Sequence, residues 1–177
     1  KTCMITRTAK DVGMRLPEIK PNVLFVKRTK AADEIIDSIN SFSDDMVVSQ
    51  KSHNDQKLEI ATLRRFLGLE MVNCAFNFIL QMAKRKNRLL VFVYHREVMD
   101  KCVRLSKQAG MNFLVLKSGQ SKVRVEQVIN LFQKPTKNSL TLFASISNSN
   151  DTITLTAAEH IIFFEISSIW ELNFQAM

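Results

Sequence analysis

In the second half of this chain the apolar residues gather into short runs, and the polar residues collect where each run stops. Leu89–Tyr94 is a continuous apolar run ending at His95-Arg96. Phe113–Leu116 ends at Lys117-Ser118-Gly119, and Leu140–Ala144 ends at Ser145-Ile146-Ser147-Asn148. A further run, His160–Glu165, reads as a last buried strand. Between the runs the apolar spacing is helical. Val98, Met99, Cys102, Val103 and Leu105 mark a helix from Glu97 to Ala109, which Gly110 ends. Val125, Val128, Ile129 and Phe132 mark another over 122–133, stopped by Lys134-Pro135. Buried strands alternating with helices predict an α/β domain with a mainly parallel, doubly wound sheet. In such sheets ligands collect outside the carboxyl ends of the strands.

The first half is less regular. Pro17 and Pro21 force an extended connector, after which Asn22–Val26 reads as a strand. Ile35, Ile36 and Ile39 share one face of a helix over 30–42, and the polar stretch 43–57 reads as a loop or insertion. Leu58–Leu67 reads as a helix that Gly68 breaks. Met71, Ala75, Phe78, Ile79 and Met82 then form one helical stripe, which reads as core. The basic run 84–88 links helix to strand; a helix dipole favours it without any ligand.

Charge changes the picture more than composition does. The net charge of +8 is segregated. Residues 1–30 carry eight Lys/Arg against two Asp/Glu, and 84–124 carry eleven against two, while 31–83 and 125–177 are net acidic. Such segregation favours a polyanionic partner, although a merely solvated face gives the same count. Cys3, Cys74 and Cys102 form no CxxC, and His53, His95 and His160 lie far apart, so neither a disulfide frame nor a metal site is expected. The thiols read as reduced, in an intracellular protein. No uninterrupted apolar run has the roughly 18–20 residues of a membrane span, so no membrane partner is expected. The chain opens on Lys1 without a signal-peptide pattern, which reads as a piece of a longer protein.

The order of these segments resembles the second, C-terminal RecA-like lobe of superfamily-2 helicase-like ATPases of the Swi/Snf-related group. Within it the nearest likeness is to the fork-remodelling or annealing-helicase branch. Met4–Val12 with Leu16-Pro17 resembles the connector between the two lobes. Leu90–His95 is similar to motif IV. Leu116–Ser121, with Arg124 and Phe132-Gln133, is similar to the family's "IDGSTS…R…FQ" segment. Leu142–Ser147 with Leu155–Glu165 resembles motif V and its following strand, and Gln175-Ala176 falls where motif VI opens. The resemblance implies a RecA-like, P-loop-NTPase-type three-layer domain with helices on both faces. It divides the chain into a connector over 1–22 and a lobe over 23–177, ending before the motif VI arginines.

The departures bear on activity. Thr152 stands where the family has a motif V glycine, and Ser168-Ile169-Trp170 where it has aromatic-Asn-Pro. The sequence holds no GxxxxGK[ST] phosphate loop. Asp33-Glu34 follows no apolar strand and reads as acid at a helix start, not as a Walker B box.

The resemblance implies that strand-end loops grip DNA phosphates. The expected contacts are His95, Arg96, Ser118, Gly119, Ser121, Lys122, Arg124, Ser145 and Ser147, with Asp151, Thr152 and Gln175 toward nucleotide. Hydroxyls, free backbone N–H groups at helix starts and a few cations are what such contacts need. Each is also an ordinary turn or cap residue. With few aromatics at stacking positions beyond Tyr94, duplex tracking is expected over single-strand stacking.

One reading is therefore half of an ATP-dependent DNA translocase acting in DNA repair, fork remodelling or chromatin, nuclear if eukaryotic. Its partners would be DNA, duplex or forked, and the first lobe of the same protein. ATP and Mg2+ would be bound mainly by that first lobe, so this chain alone is expected to bind neither and to be inactive. The other reading is a degenerate lobe kept as a DNA- or protein-binding module. A weaker third is an unrelated Rossmann-like nucleotide domain, against which stands the lack of a GxGxxG.

Overall fold

A computed structural model describes residues 22–45, 53–85, 88–146 and 155–167. The elements in chain order are α1 (Lys30–Asp45), α2 (His53–Lys84), β1 (Arg88–Val93), α3 (Arg96–Gln108), β2 (Phe113–Leu116), α4 (Lys122–Gln133), β3 (Leu140–Ser145) and β4 (His160–Phe163). The four strands form one sheet in the order β2-β3-β1-β4, with every pairing parallel.

The topology follows from handedness. The chain leaves β1 for the far edge through α3, then turns back through α4 to fill the gap with β3. Right-handed crossovers running in opposite directions put their helices on opposite faces. Accordingly α3 joins α2 on one face and α4 covers the other. The alternation of β1 serves both layers. Leu89, Val91 and Val93 pack with Val72, Phe76, Ile79, Val98, Met99 and Cys102. Leu90 and Phe92 pack with Leu116, Val128, Phe132, Leu142 and Ile146. Each such side chain fully buried contributes about 1.5–3 kcal/mol, which is why β1 is apolar at every position after Arg88. The expected three-layer architecture is the one observed.

Four readings need correction. Asn22–Val26 is not a strand: it is irregular, and Phe25 is 93% exposed. Apolar content without a neighbouring strand to bond does not make sheet. Gly68 does not break a helix, since α2 runs unbroken through it. The core stripe of α2 is turned by about one residue. Val72, Phe76, Ile79 and Ala83 are buried, while Met71, Ala75, Phe78 and Met82 are half-buried on its flanks. The cause is that α2 packs on the sheet and also against α3 and α1, where Ala32 is buried. Finally, the last strand is not buried: β4 is an outer strand of the described sheet, with Ile161 44% exposed.

Both helices of the first half also reach into the stretch read as a loop, α1 to Asp45 and α2 from His53. Asp33 lies in the first turn of α1, paired with Arg28 at 3.0 Å, as a helix-start acid should. Residues 58–84 of α2 are long and apolar enough, by length and composition, to cross a membrane. Arg64, Arg65 and Glu70 interrupt that stretch, and its buried stripe is committed to the sheet.

Candidate nucleic-acid interface

In a parallel sheet all strands end on one rim. With β2, β3 and β1 adjacent and strands about 4.8 Å apart, the segments that follow them lie within about 10 Å of each other. The rim is therefore assembled from the β1–α3 turn, the β2–α4 turn and the end of β3.

The β2–α4 turn is built to present its groups outward. Gly119 adopts φ +78°, the left-handed conformation that glycine takes without strain. The Lys117 N–H donates to Gln120 Oε1 at 3.1 Å, closing the turn. Ser121 is the N-cap of α4; its side chain accepts from the Arg124 N–H at 3.4 Å. Lys122, Val123 and Arg124 follow, and the first turn of α4 contains no acid. Two cations at the positive end of a helix dipole oppose what the dipole favours. Ser118, Ser121, Lys122 and Arg124 are all exposed, and neither cation has an ion pair among the described residues. Neighbouring charges are spent: Lys117 pairs with Asp100 at 2.6 Å, and Glu97 with Arg65 at 2.8 Å.

At the β1–α3 turn, Arg96 is exposed and opens α3. His95 precedes it but faces inward. Its Nδ1 lies 2.7 Å from Glu165 Oε1, and its ring meets Tyr94 edge-on. Glu165 Oε2 accepts the N–H groups of Tyr94 and His95, each at 2.9 Å. Ser145 is buried at the end of β3, so its hydroxyl is not on the rim surface. The structure thus brings together Arg96, Ser118, Gly119, Ser121, Lys122 and Arg124 as an exposed set, with His95 and Ser145 behind it. Ser147, Asp151, Thr152 and Gln175 lie outside the described residues.

Sequence reasoning missed Glu165 and Gly68. A lone acid closing an otherwise apolar strand and a glycine inside a helical stretch were the available signals. Beside them, a groove of about 720 Å³ runs between α2 and the ends of β1 and β4, lined mainly by apolar side chains such as Ile60, Leu67 and Met71.

No protein-family model matches this chain, and no curated protein matches it in sequence. Solved structures do. The C-terminal part of the Fun30 ATPase domain superposes with a TM-score of 0.63 at 11% identity, covering 86% of this chain and 76% of that one. The fold is that of a Swi2/Snf2 ATPase C-terminal domain. The Sulfolobus solfataricus SWI2/SNF2 ATPase core domain gives a TM-score of 0.62 at 13% identity over 79% of this chain. This chain spans 33% of that core domain. The isolated C-terminal domain of the same Sulfolobus protein gives 0.53 at 15% identity, with 76% and 63% covered. These likenesses bear out the RecA-like α/β architecture.

The described residues hold no group of three or more His, Cys, Asp or Glu side chains able to bind a metal. The sequence has no Gly-rich phosphate loop.

Proposed function

We propose that this chain is the C-terminal lobe of a Snf2-type, ATP-dependent DNA translocase, entered through a connector over residues 1–22, and that its rim grips the phosphate backbone of duplex DNA. One observation carries the DNA reading: Lys122 and Arg124 stand exposed at the acid-free start of α4, without an ion pair among the described residues, beside Arg96 and the Gly119 turn. Free N–H groups at a helix start, hydroxyls and cations on one rim are the chemistry of phosphate contact. Such contacts carry no base information, so binding should tolerate any sequence and depend steeply on salt. The motif spelling supports the fork-remodelling or annealing-helicase branch, with work in DNA repair or chromatin.

The test is duplex-DNA binding by this chain across a salt series, beside Lys122→Ala/Arg124→Ala. The logarithmic salt slope should fall by about one for each cation removed. Absence of binding at low salt, or a slope that the double variant leaves alone, would overturn the DNA reading. Thr152, at the position of a family glycine, favours the second reading of a degenerate lobe working through protein contacts. A first lobe with a phosphate loop in the same protein supports the motor; a protein without one supports the module.

A further inference from the structure

β1 stops at Val93 and α3 starts at Arg96. The amides of Tyr94 and His95 therefore belong to neither the strand ladder nor the helix. The first amides of any helix also lack intrahelical acceptors. His95 is the N-cap of α3, yet its side chain makes no capping bond. The acceptor comes instead from the far end of β4. Glu165 takes both amides on Oε2 and the His95 ring on Oε1. The connection is reciprocal, because the N–H groups of Phe164 and Glu165 both donate to the Phe92 carbonyl, at 2.9 and 3.4 Å. Charge-assisted bonds of this kind are about twice as strong as neutral ones. Three of them converge on one carboxylate whose side chain is 9% exposed.

Gly68 explains how the carboxylate gets there. A glycine inside a helix costs about 1 kcal/mol relative to alanine and usually has a packing reason. A Cβ at position 68 would lie 2.3 Å from Glu165 Oε1 and 3.0 Å from Val98 Cγ2. The Glu165 side chain cannot swing aside without releasing its three bonds. Middle of α2, end of β1, start of α3 and end of β4 thus meet at a single acid.

We infer that Glu165 is a positioning residue for the phosphate-facing rim: admitted by Gly68, it fixes the β1–α3 turn and so the place from which Arg96 reaches out. This deepens the DNA reading and rests on it. Glu165 itself touches no DNA; it acts through the backbone that carries Arg96.

The experiment has two arms. Amide hydrogen exchange at Tyr94 and His95 reports the latch without any DNA. Duplex-DNA affinity at fixed low salt reports its effect, with Arg96→Ala as the reference for a direct contact. Glu165→Ala should expose the two amides to fast exchange while Val91, inside the sheet, stays protected, and should weaken DNA binding about fivefold, the scale of an effect passed through an intermediary. Glu165→Gln keeps an acceptor oxygen and should restore both readouts. Should the Ala variant not fold, Glu165→Asp withdraws the acid by one methylene and is read the same way. Gly68→Ala should lower the melting temperature, and less so when combined with Glu165→Asp. Unchanged exchange at Tyr94 and His95 would overturn the latch, whatever DNA does. Fast exchange with unchanged affinity would overturn the positioning role. A wild-type chain that binds no duplex would sink the DNA reading and the latch's purpose with it, while exchange still decides whether the latch exists.

Discussion

Cys102 shows how much the surroundings of one atom decide. It lies on the buried face of α3 with no exposed surface. Burial, then the nearby charge of Glu165, push its thiol up to about 12 from an ordinary 9.0, with Lys101 pulling the other way. A thiol that stays protonated is a poor nucleophile. Cys102 should therefore remain unmodified by iodoacetamide at pH 8 in the folded protein and react once urea unfolds it, as peptide mass mapping would read. The linkage sign follows from the raised value. The unfolded chain ionises this thiol from about pH 9 while the folded one does not until about 12. Stability from this group is thus complete below 9 and is lost as pH rises toward 12. Cys102→Ala should flatten that alkaline decline in urea melts. Sequence analysis read the thiol as reduced, since the cysteines form no CxxC, and placed Cys102 on an apolar helical stripe. It gave nothing of Glu165, whose neighbours are far away in the chain and close only in the fold.

At the scale of elements, α3 and α4 were legible almost to the residue, because each carries one apolar face and a marked end. Gly110 adopts φ +64° just past α3, and Ser121 caps α4. Replacing Ser121 by Ala should cost about 0.5–1 kcal/mol, near the low end for a cap given its long bond. A shifted denaturant midpoint with an unchanged slope would register that loss. α2 was harder to read, for a physical reason. A helix touching three partners has no single face, so its apolar residues spread around it, and a stripe chosen from spacing alone landed beside the true one. Gly68 misled for the opposite reason: propensity marks a break, yet tertiary packing required the missing Cβ. The Asn22–Val26 segment shows that β-forming residues are not sufficient where the described sheet supplies no partner.

For the whole molecule, Arg96, Lys122 and Arg124 stand exposed on the rim where β1 and β2 end. The sequence holds no GxxxxGK[ST] phosphate loop. This chain alone should therefore release no phosphate from ATP above background, with or without duplex DNA. A steady-state phosphate assay reads this, and DNA-stimulated turnover would show that the sequence reading missed an active site. The strand order has a different consequence, for how the molecule comes to exist. Leu89 pairs with Thr141 on one side and His160 on the other. Among the described residues β1 thus has no strand neighbour nearby in the chain, and the first strand made after it, β2, docks only once β3 has arrived. Closing such long loops costs entropy before any pairing repays it, which slows folding. On the ribosome, a chain grown through β2 would hold Leu89–Val93 as a strongly apolar ribbon still waiting for β3 and β4, the kind of segment a chaperone shelters.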